Sequence, residues 1–165
     1  MPAVRAFFAL LFLAFPGFAA AQTEDLARAD TVSWSVQPAT IARRSDRLKV
    51  IISGAVQPGW HVYALKQAPD GPTPLLVTLD ANAVATADGA VAGSAATKLH
   101  DPAFGLDTQF YASAFTLTVP VRLKPHPAEG PVISLSVRYQ TCNGRVCQPP
   151  RTVRLSVPVN PQAGG

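Results

Sequence analysis

Phe115-Thr116-Leu117-Thr118-Val119-Pro120-Val121-Arg122-Leu123 sets large apolar side chains at every second position. Side chains of an extended chain point to opposite faces in turn, so this period of two marks a strand with one buried face. The same rhythm recurs downstream in Ile133, Leu135, Val137 and Tyr139, and again in Val153, Leu155, Val157 and Val159. Upstream it runs through Val32, Trp34 and Val36, stopped by Pro38, through Leu48 to Val56, and through Leu75, Val77 and Leu79. Trp60-His61-Val62-Tyr63 is a short aromatic strand after the turn Gln57-Pro58-Gly59.

The segments between are turns and loops. Gln67 to Pro74 holds three prolines and a glycine. Ala81 to Thr97 is alanine-rich, but Gly89, Gly93 and scattered valines favour short strands over a helix. Leu99 to Thr108, with Pro102 and Gly105, reads as an exposed loop carrying Phe104. Seven to nine strands and no helix predict an all-β protein, an immunoglobulin-like antiparallel β-sandwich. Trp34 and Trp60 read as core residues of that sandwich. No repeat divides the chain, and residues 32–160 are expected to form one domain with a frayed tail at 161–165.

The N-terminal segment has the layout of an export signal. Arg5 precedes an apolar run from Ala6 to Phe18, and Ala19-Ala20-Ala21 supplies small residues for a peptidase. The run is short for a membrane span and is broken by Pro16 and Gly17. Cleavage is expected after Ala21, leaving a flexible lead-in over 22–31 and a soluble, monomeric, periplasmic protein without stable membrane insertion. The net charge of +4 comes from scattered basic residues such as Arg43-Arg44, which are not interleaved with aromatics, so nucleic acid is not an expected partner.

Two cysteines, Cys142 and Cys147, stand in an exported chain and would be oxidised to one another. They lie between two strands, in a hairpin. Asn143-Gly144 alone suggests a two-residue turn, but that register sets the cysteines on a diagonal, too far apart for a relaxed bridge. A four-residue loop from Asn143 to Val146 sets Cys142 directly opposite Cys147, and this register is expected. A loop this short stabilises a fold by only about 2 kcal/mol. A cross-strand bridge in one hairpin is prone to strain, and strain makes a disulfide easier to reduce. These arguments favour a reversible pair, with a permanent structural clip in a non-catalytic immunoglobulin-like adaptor as the alternative. The spacing is not that of thioredoxins, and no histidine follows for haem attachment. His61, His100 and His126 match no zinc or copper spacing, so neither a metal nor another cofactor is expected. No Ser-His-Asp motif supports a hydrolase.

Tyr139-Gln140-Thr141-Cys142, a spacer, and Cys147-Gln148-Pro149-Pro150 resemble the cysteine segment of the N-terminal periplasmic domain of DsbD-type thiol–disulfide interchange proteins, the disulfide bond corrector domains. Gly59-Trp60-His61-Val62-Tyr63 resembles that family's aromatic strand. His100-Asp101-Pro102-Ala103-Phe104-Gly105, followed by Phe110-Tyr111, resembles its cap-loop region. The resemblance implies an immunoglobulin-like fold and a protein-disulfide reductase activity. Its electron donor would be a membrane-embedded thiol reductase. Its acceptors would be periplasmic thioredoxin-fold proteins, among them disulfide isomerases and cytochrome c maturation factors. Carried over residue by residue, Cys142 and Cys147 would be the redox pair, with Cys147 attacking. Phe104 would be the shielding cap, and Tyr63, Trp60 and His61 would line the site. Asp101, if close, would hold the thiol protonated by its charge. The spacer is one residue shorter than in the best-known members, as is the cap segment. The membrane and thioredoxin-like modules of the full-length proteins do not follow, so a separately acting subunit is expected.

Overall fold

In the computed structural model the described residues are 30–41, 46–81, 84–125 and 132–161. The expected signal segment, Arg43-Arg44 and His126 lie outside them. Strands carry all of the regular structure described: β1 (Val32–Val36), β2 (Ala39–Ile41), β3 (Arg47–Val56), β4 (His61–Tyr63), β5 (Leu76–Leu79), β6 (Ala85–Ala87), β7 (Ala92–Gly93), β8 (Thr97–Asp101), β9 (Leu106–Tyr111), β10 (Phe115–Leu123), β11 (Val132–Tyr139), β12 (Thr141–Cys142) and β13 (Arg151–Pro161).

They form three sheets. One runs β1-β3-β10-β6, with β7 also on β10; a second runs β2-β13-β11-β5. The period-two rows explain why these two sheets close on each other. Val50 and Ile52 of β3 and Leu117, Val119 and Val121 of β10 are buried, as are Ile133, Leu135 and Val137 of β11 and Val157 of β13, all in one cluster. Each such side chain contributes about 1.5–3 kcal/mol on burial. Nine of them outweigh by far the 2 kcal/mol or so of a six-residue disulfide loop, so the core holds the sandwich together. Pro120 sits mid-strand because its neighbour there is broken. β10 pairs with β7 at Leu117 and Thr118 and with β6 from Val121, and between them Asp88 N–H reaches the Pro120 carbonyl.

The third sheet, β12-β4-β9-β8, carries the cysteines. Its register sorts its side chains. Thr141 pairs with Val62, and Val62 with Tyr111. These three are buried, and Tyr111 stacks on Phe115 of the sandwich at 4.3 Å. On the other face, Cys142 pairs with His61, Tyr63 with Phe110, and Asp101 with Leu106. Alternation therefore gathers Cys142, His61, Tyr63, Phe110, Thr108 and Asp101 on one face.

The immunoglobulin-like β-sandwich is thus present, with more pieces than the periodicity shows. Thirteen strands are described, because β2, β6, β7 and β12 span only two or three residues and leave no rhythm. The β2–β13 pairing is parallel, unlike the rest. Leu99 to Thr108 is not an open loop: it is most of a hairpin, β8 and β9, turning at 102–105. Thr31, placed in the lead-in by sequence, is buried, and its hydroxyl donates to Thr141 Oγ1 at 3.1 Å. β13 continues through Pro161, where the tail was expected to begin.

Candidate functional site

Cys142 ends β12 and faces Cys147 in an antiparallel bridge, and the two form a disulfide with Cα atoms 4.0 Å apart. The flanking hydrogen bonds are Asn143 N–H to Val146 carbonyl, 3.2 Å, and Gln148 N–H to Thr141 carbonyl, 2.9 Å. They make the cysteines a non-hydrogen-bonded pair, the register in which opposed residues come closest. The four-residue loop is built by Asn143, whose Oδ1 accepts from Arg145 N–H at 3.0 Å and Val146 N–H at 2.8 Å. Gly144 takes φ +79°, a conformation that costs other residues about 1–2 kcal/mol.

The two sulfurs live in different surroundings. Cys142 is 0 % exposed, whereas Cys147 is half-buried at the mouth of the hairpin. The Tyr63 hydroxyl oxygen lies 3.8 Å from Cys147 Sγ. That hydroxyl donates to Asp101 Oδ2 at 2.7 Å. Asp101 is itself buried and collects two more donors, Ala103 N–H on Oδ1 at 2.9 Å and the Thr108 hydroxyl on Oδ2 at 3.5 Å. Burial pushes the Tyr63 phenol well above its usual range, and the hydrogen bond to Asp101 and that residue's negative charge push it further. The expectation from charge is that Asp101, if close, acts on the thiol directly. In the structure Tyr63 stands between the carboxylate and the sulfur.

Four rings form a chain across this face. Phe104 meets Tyr63 edge-on at 5.7 Å, Tyr63 meets His61 edge-on at 5.1 Å, and His61 lies tilted on Phe110 at 4.7 Å. Phe104 is presented by the tight turn after β8, where Phe104 N–H and Gly105 N–H both donate to the Asp101 carbonyl. Asp101 thus shapes this turn through its backbone and holds Tyr63 through its side chain. Trp60 closes the Gln57 turn, with its N–H on the Gln57 carbonyl at 3.1 Å, and is half-buried. Among the described rings it stands outside this chain. His61 has its Nε2 buried without a hydrogen-bond partner. Burial lowers its pKa, and the Asp101 charge offsets this in part.

Thr108 and Gln140 are site residues that the sequence does not single out. Thr108 holds Asp101; only the β8–β9 register, hidden in the sequence, reveals it. Gln140 Oε1 accepts from Thr73 N–H at 2.8 Å and anchors the proline-rich loop beside the cysteine hairpin. Phe110 and Tyr111 part company: the first joins the site and the second the core. His100 is exposed beside Asp107 at 3.7 Å, away from the cysteines' face. Among the described residues no three His, Cys, Asp or Glu side chains cluster as a metal site would need.

A family described as "Thiol:disulfide interchange protein DsbD, N-terminal" matches residues 31–158. Among solved structures, the N-terminal domain of DsbD from Neisseria meningitidis in the reduced form shares 20 % identity, covering 74 % of this chain and 83 % of that one, with a TM-score of 0.48. The N-terminal periplasmic domain of ScsB from Proteus mirabilis shares 13 % identity and a TM-score of 0.57, covering 83 % of this chain and 49 % of that one. This second likeness is one of fold, and the chain spans about half the length of that protein. Comparison with curated protein sequences gave no match. With the family match running from Thr31 across both cysteines to Pro158, the chain belongs to the family of N-terminal domains of DsbD-type thiol:disulfide interchange proteins.

Proposed function

We propose that this protein is a periplasmic protein-disulfide reductase that relays electron pairs through Cys142 and Cys147. The observation that carries the reading is the asymmetry of the pair: Cys142 sealed at 0 % exposure, Cys147 only half-buried at a hairpin mouth. Exchange needs one thiol that a partner can reach and one held in reserve to release it. In the reduced protein Cys147 attacks the disulfide of a thioredoxin-fold acceptor and forms a mixed disulfide. Cys142 then attacks Cys147 and frees the reduced acceptor. A membrane-embedded thiol reductase resets the pair. The ScsB domain that shares this fold is periplasmic, which supports a periplasmic setting for this protein.

Tyr63 and Asp101 keep the reduced pair quiet between encounters. Tyr63 commits its one proton to Asp101, so it offers Cys147 only an acceptor oxygen. Such an oxygen suits a thiol S–H and gives a thiolate nothing. Phe104 backs Tyr63 and acts as the movable shield, displaced when an acceptor docks.

Trapping tests this directly. Cys142→Ser should accumulate a covalent adduct with a periplasmic thioredoxin-fold protein through Cys147, since the release step is gone. Free-thiol titration of the wild type in glutathione buffers should find the pair reducible with the fold retained. An absence of adducts from both single-cysteine variants, together with unfolding on reduction, would leave a structural clip as the function.

A further inference from the structure

The relay gives His61 no part, although His61 stands directly opposite Cys142 across β4 and β12. Opposed residues of an antiparallel pair put their Cβ atoms about 4.5–5.5 Å apart on one face. The imidazole packs between two rings, with Tyr63 at 5.1 Å and Phe110 at 4.7 Å. Its Nε2 is buried and has no partner while the disulfide is closed. Reduction changes that, since Cys142 then carries an S–H and needs a place to send its proton. Cys142 has no exposed surface, so bulk water does not serve it.

We propose that His61 carries the proton of Cys142 during the release step. This rests on the relay reading above. Cys147, its proton lost to solvent, attacks the acceptor disulfide. That S–S bond breaks, a mixed disulfide forms, and the departing acceptor thiolate takes a proton from solvent. The Cys142 proton then passes to His61 Nε2, and the Cys142 thiolate attacks Cys147 Sγ. The mixed disulfide breaks, the second acceptor thiolate leaves, and it takes the proton from His61. Two electrons leave the cysteine pair and two enter the acceptor. Four groups face His61 and suit it to proton transfer. They are Cys142 from β12, the Tyr63 ring from its own strand, the Asp101 carboxylate from β8, whose charge acts on it, and the apolar Phe110 from β9. Burial holds the ring in its neutral, acceptor form at the cost of weakening it as a base, and the Asp101 charge offsets that in part by favouring the imidazolium.

Stopped-flow oxidation of the reduced protein by equimolar 5,5′-dithiobis(2-nitrobenzoic acid) separates the steps. The first thionitrobenzoate released reports Cys147, and the second reports Cys142. In His61→Gln the second phase is expected to slow by roughly tenfold or more at pH 7. Its pH profile should also lose the imidazole's acid limb and follow a plain thiol. His61→Tyr, which keeps a ring between Tyr63 and Phe110, should be as slow. An unchanged second phase in His61→Gln, or full recovery in His61→Tyr, overturns the proposal. Wild-type protein gives a check that needs no variant: the His61 ring ¹⁵N shifts should differ between oxidised and reduced forms, and redox-invariant shifts overturn it too. A wild-type protein that shows neither phase would sink the relay reading and this inference with it; slowing of the variant confined to the second phase supports His61 and leaves the relay standing.

Discussion

Tyr63 turns one face of its oxygen to a carboxylate and the other to a sulfur, and both consequences are measurable. Its folded pKa lies above the unfolded value near 10, so the native protein keeps a proton that the unfolded chain loses. The stability this gives is complete below about pH 10 and disappears as pH climbs from there towards the folded value. The melting temperature of the oxidised protein should therefore fall above about pH 10, and Tyr63→Phe should flatten that fall. Some slope should remain, because burial raises Tyr111 as well. At neutral pH the same variant should lose about 1–3 kcal/mol, since buried Asp101 is left one donor short. Denaturant titrations at pH 7 and pH 10.5 read both effects. Phe104→Ala belongs to the same scale. With the ring gone from Tyr63's edge, the reduced pair should react faster with a small oxidant such as hydrogen peroxide, and an unchanged rate would argue against a shield. Phe104, Asp101, Tyr63 and His61 were legible through the family resemblance of their segments. Trp60 was drawn in by the same resemblance, and among the described rings its own lies outside the chain of contacts. That Tyr63 mediates between Asp101 and Cys147 was not legible, because it depends on distances between three strands.

The hairpin of the cysteines is an element whose register was readable before any coordinate. Asn143-Gly144 invites a two-residue turn, yet two sulfurs that must meet demand opposed positions, and the second demand prevailed. Asn143 then serves the longer loop as an acceptor for two backbone N–H groups. The closed disulfide requires this loop geometry, whereas the open dithiol can relax from it. Loss of the Asn143 side chain should therefore penalise the oxidised form more. Asn143→Ala is expected to make the reduction potential less negative by roughly 20–60 mV, the equivalent of about two modest hydrogen bonds. Equilibration against glutathione buffers measures it, and a shift to a more negative potential would contradict the argument. The β8–β9 turn that carries Phe104 was harder to read. Thr97 to His100 are all exposed, so β8 has no buried row and no rhythm until Asp101. Pro102 and Gly105 then made a tight turn look like an open loop.

At the scale of the molecule, the long rows of β3, β10, β11 and β13 fixed the architecture, because alternation over eight or more residues has no simpler reading than a strand. What alternation could not show was how a third, short-stranded sheet lies against that sandwich with Val62, Tyr111 and Thr141 facing in. This division of labour decides how the protein should respond to reduction. Cys142 and Cys147 are five positions apart, and their bridge joins neither the two sandwich sheets nor distant parts of the chain. Opening it removes about 2 kcal/mol of loop-closure stabilisation. A domain of this size has about 5–15 kcal/mol in hand. Reduction should therefore lower the urea midpoint modestly and leave the slope of the transition unchanged, since the same surface is still exposed on unfolding. The far-ultraviolet circular dichroism of the reduced protein should match that of the oxidised one. An electron carrier has to keep its fold in both states, because each turnover passes through both. A reduced form that unfolds at room temperature would mean that the bridge holds the sandwich, and the relay would lose its physical basis.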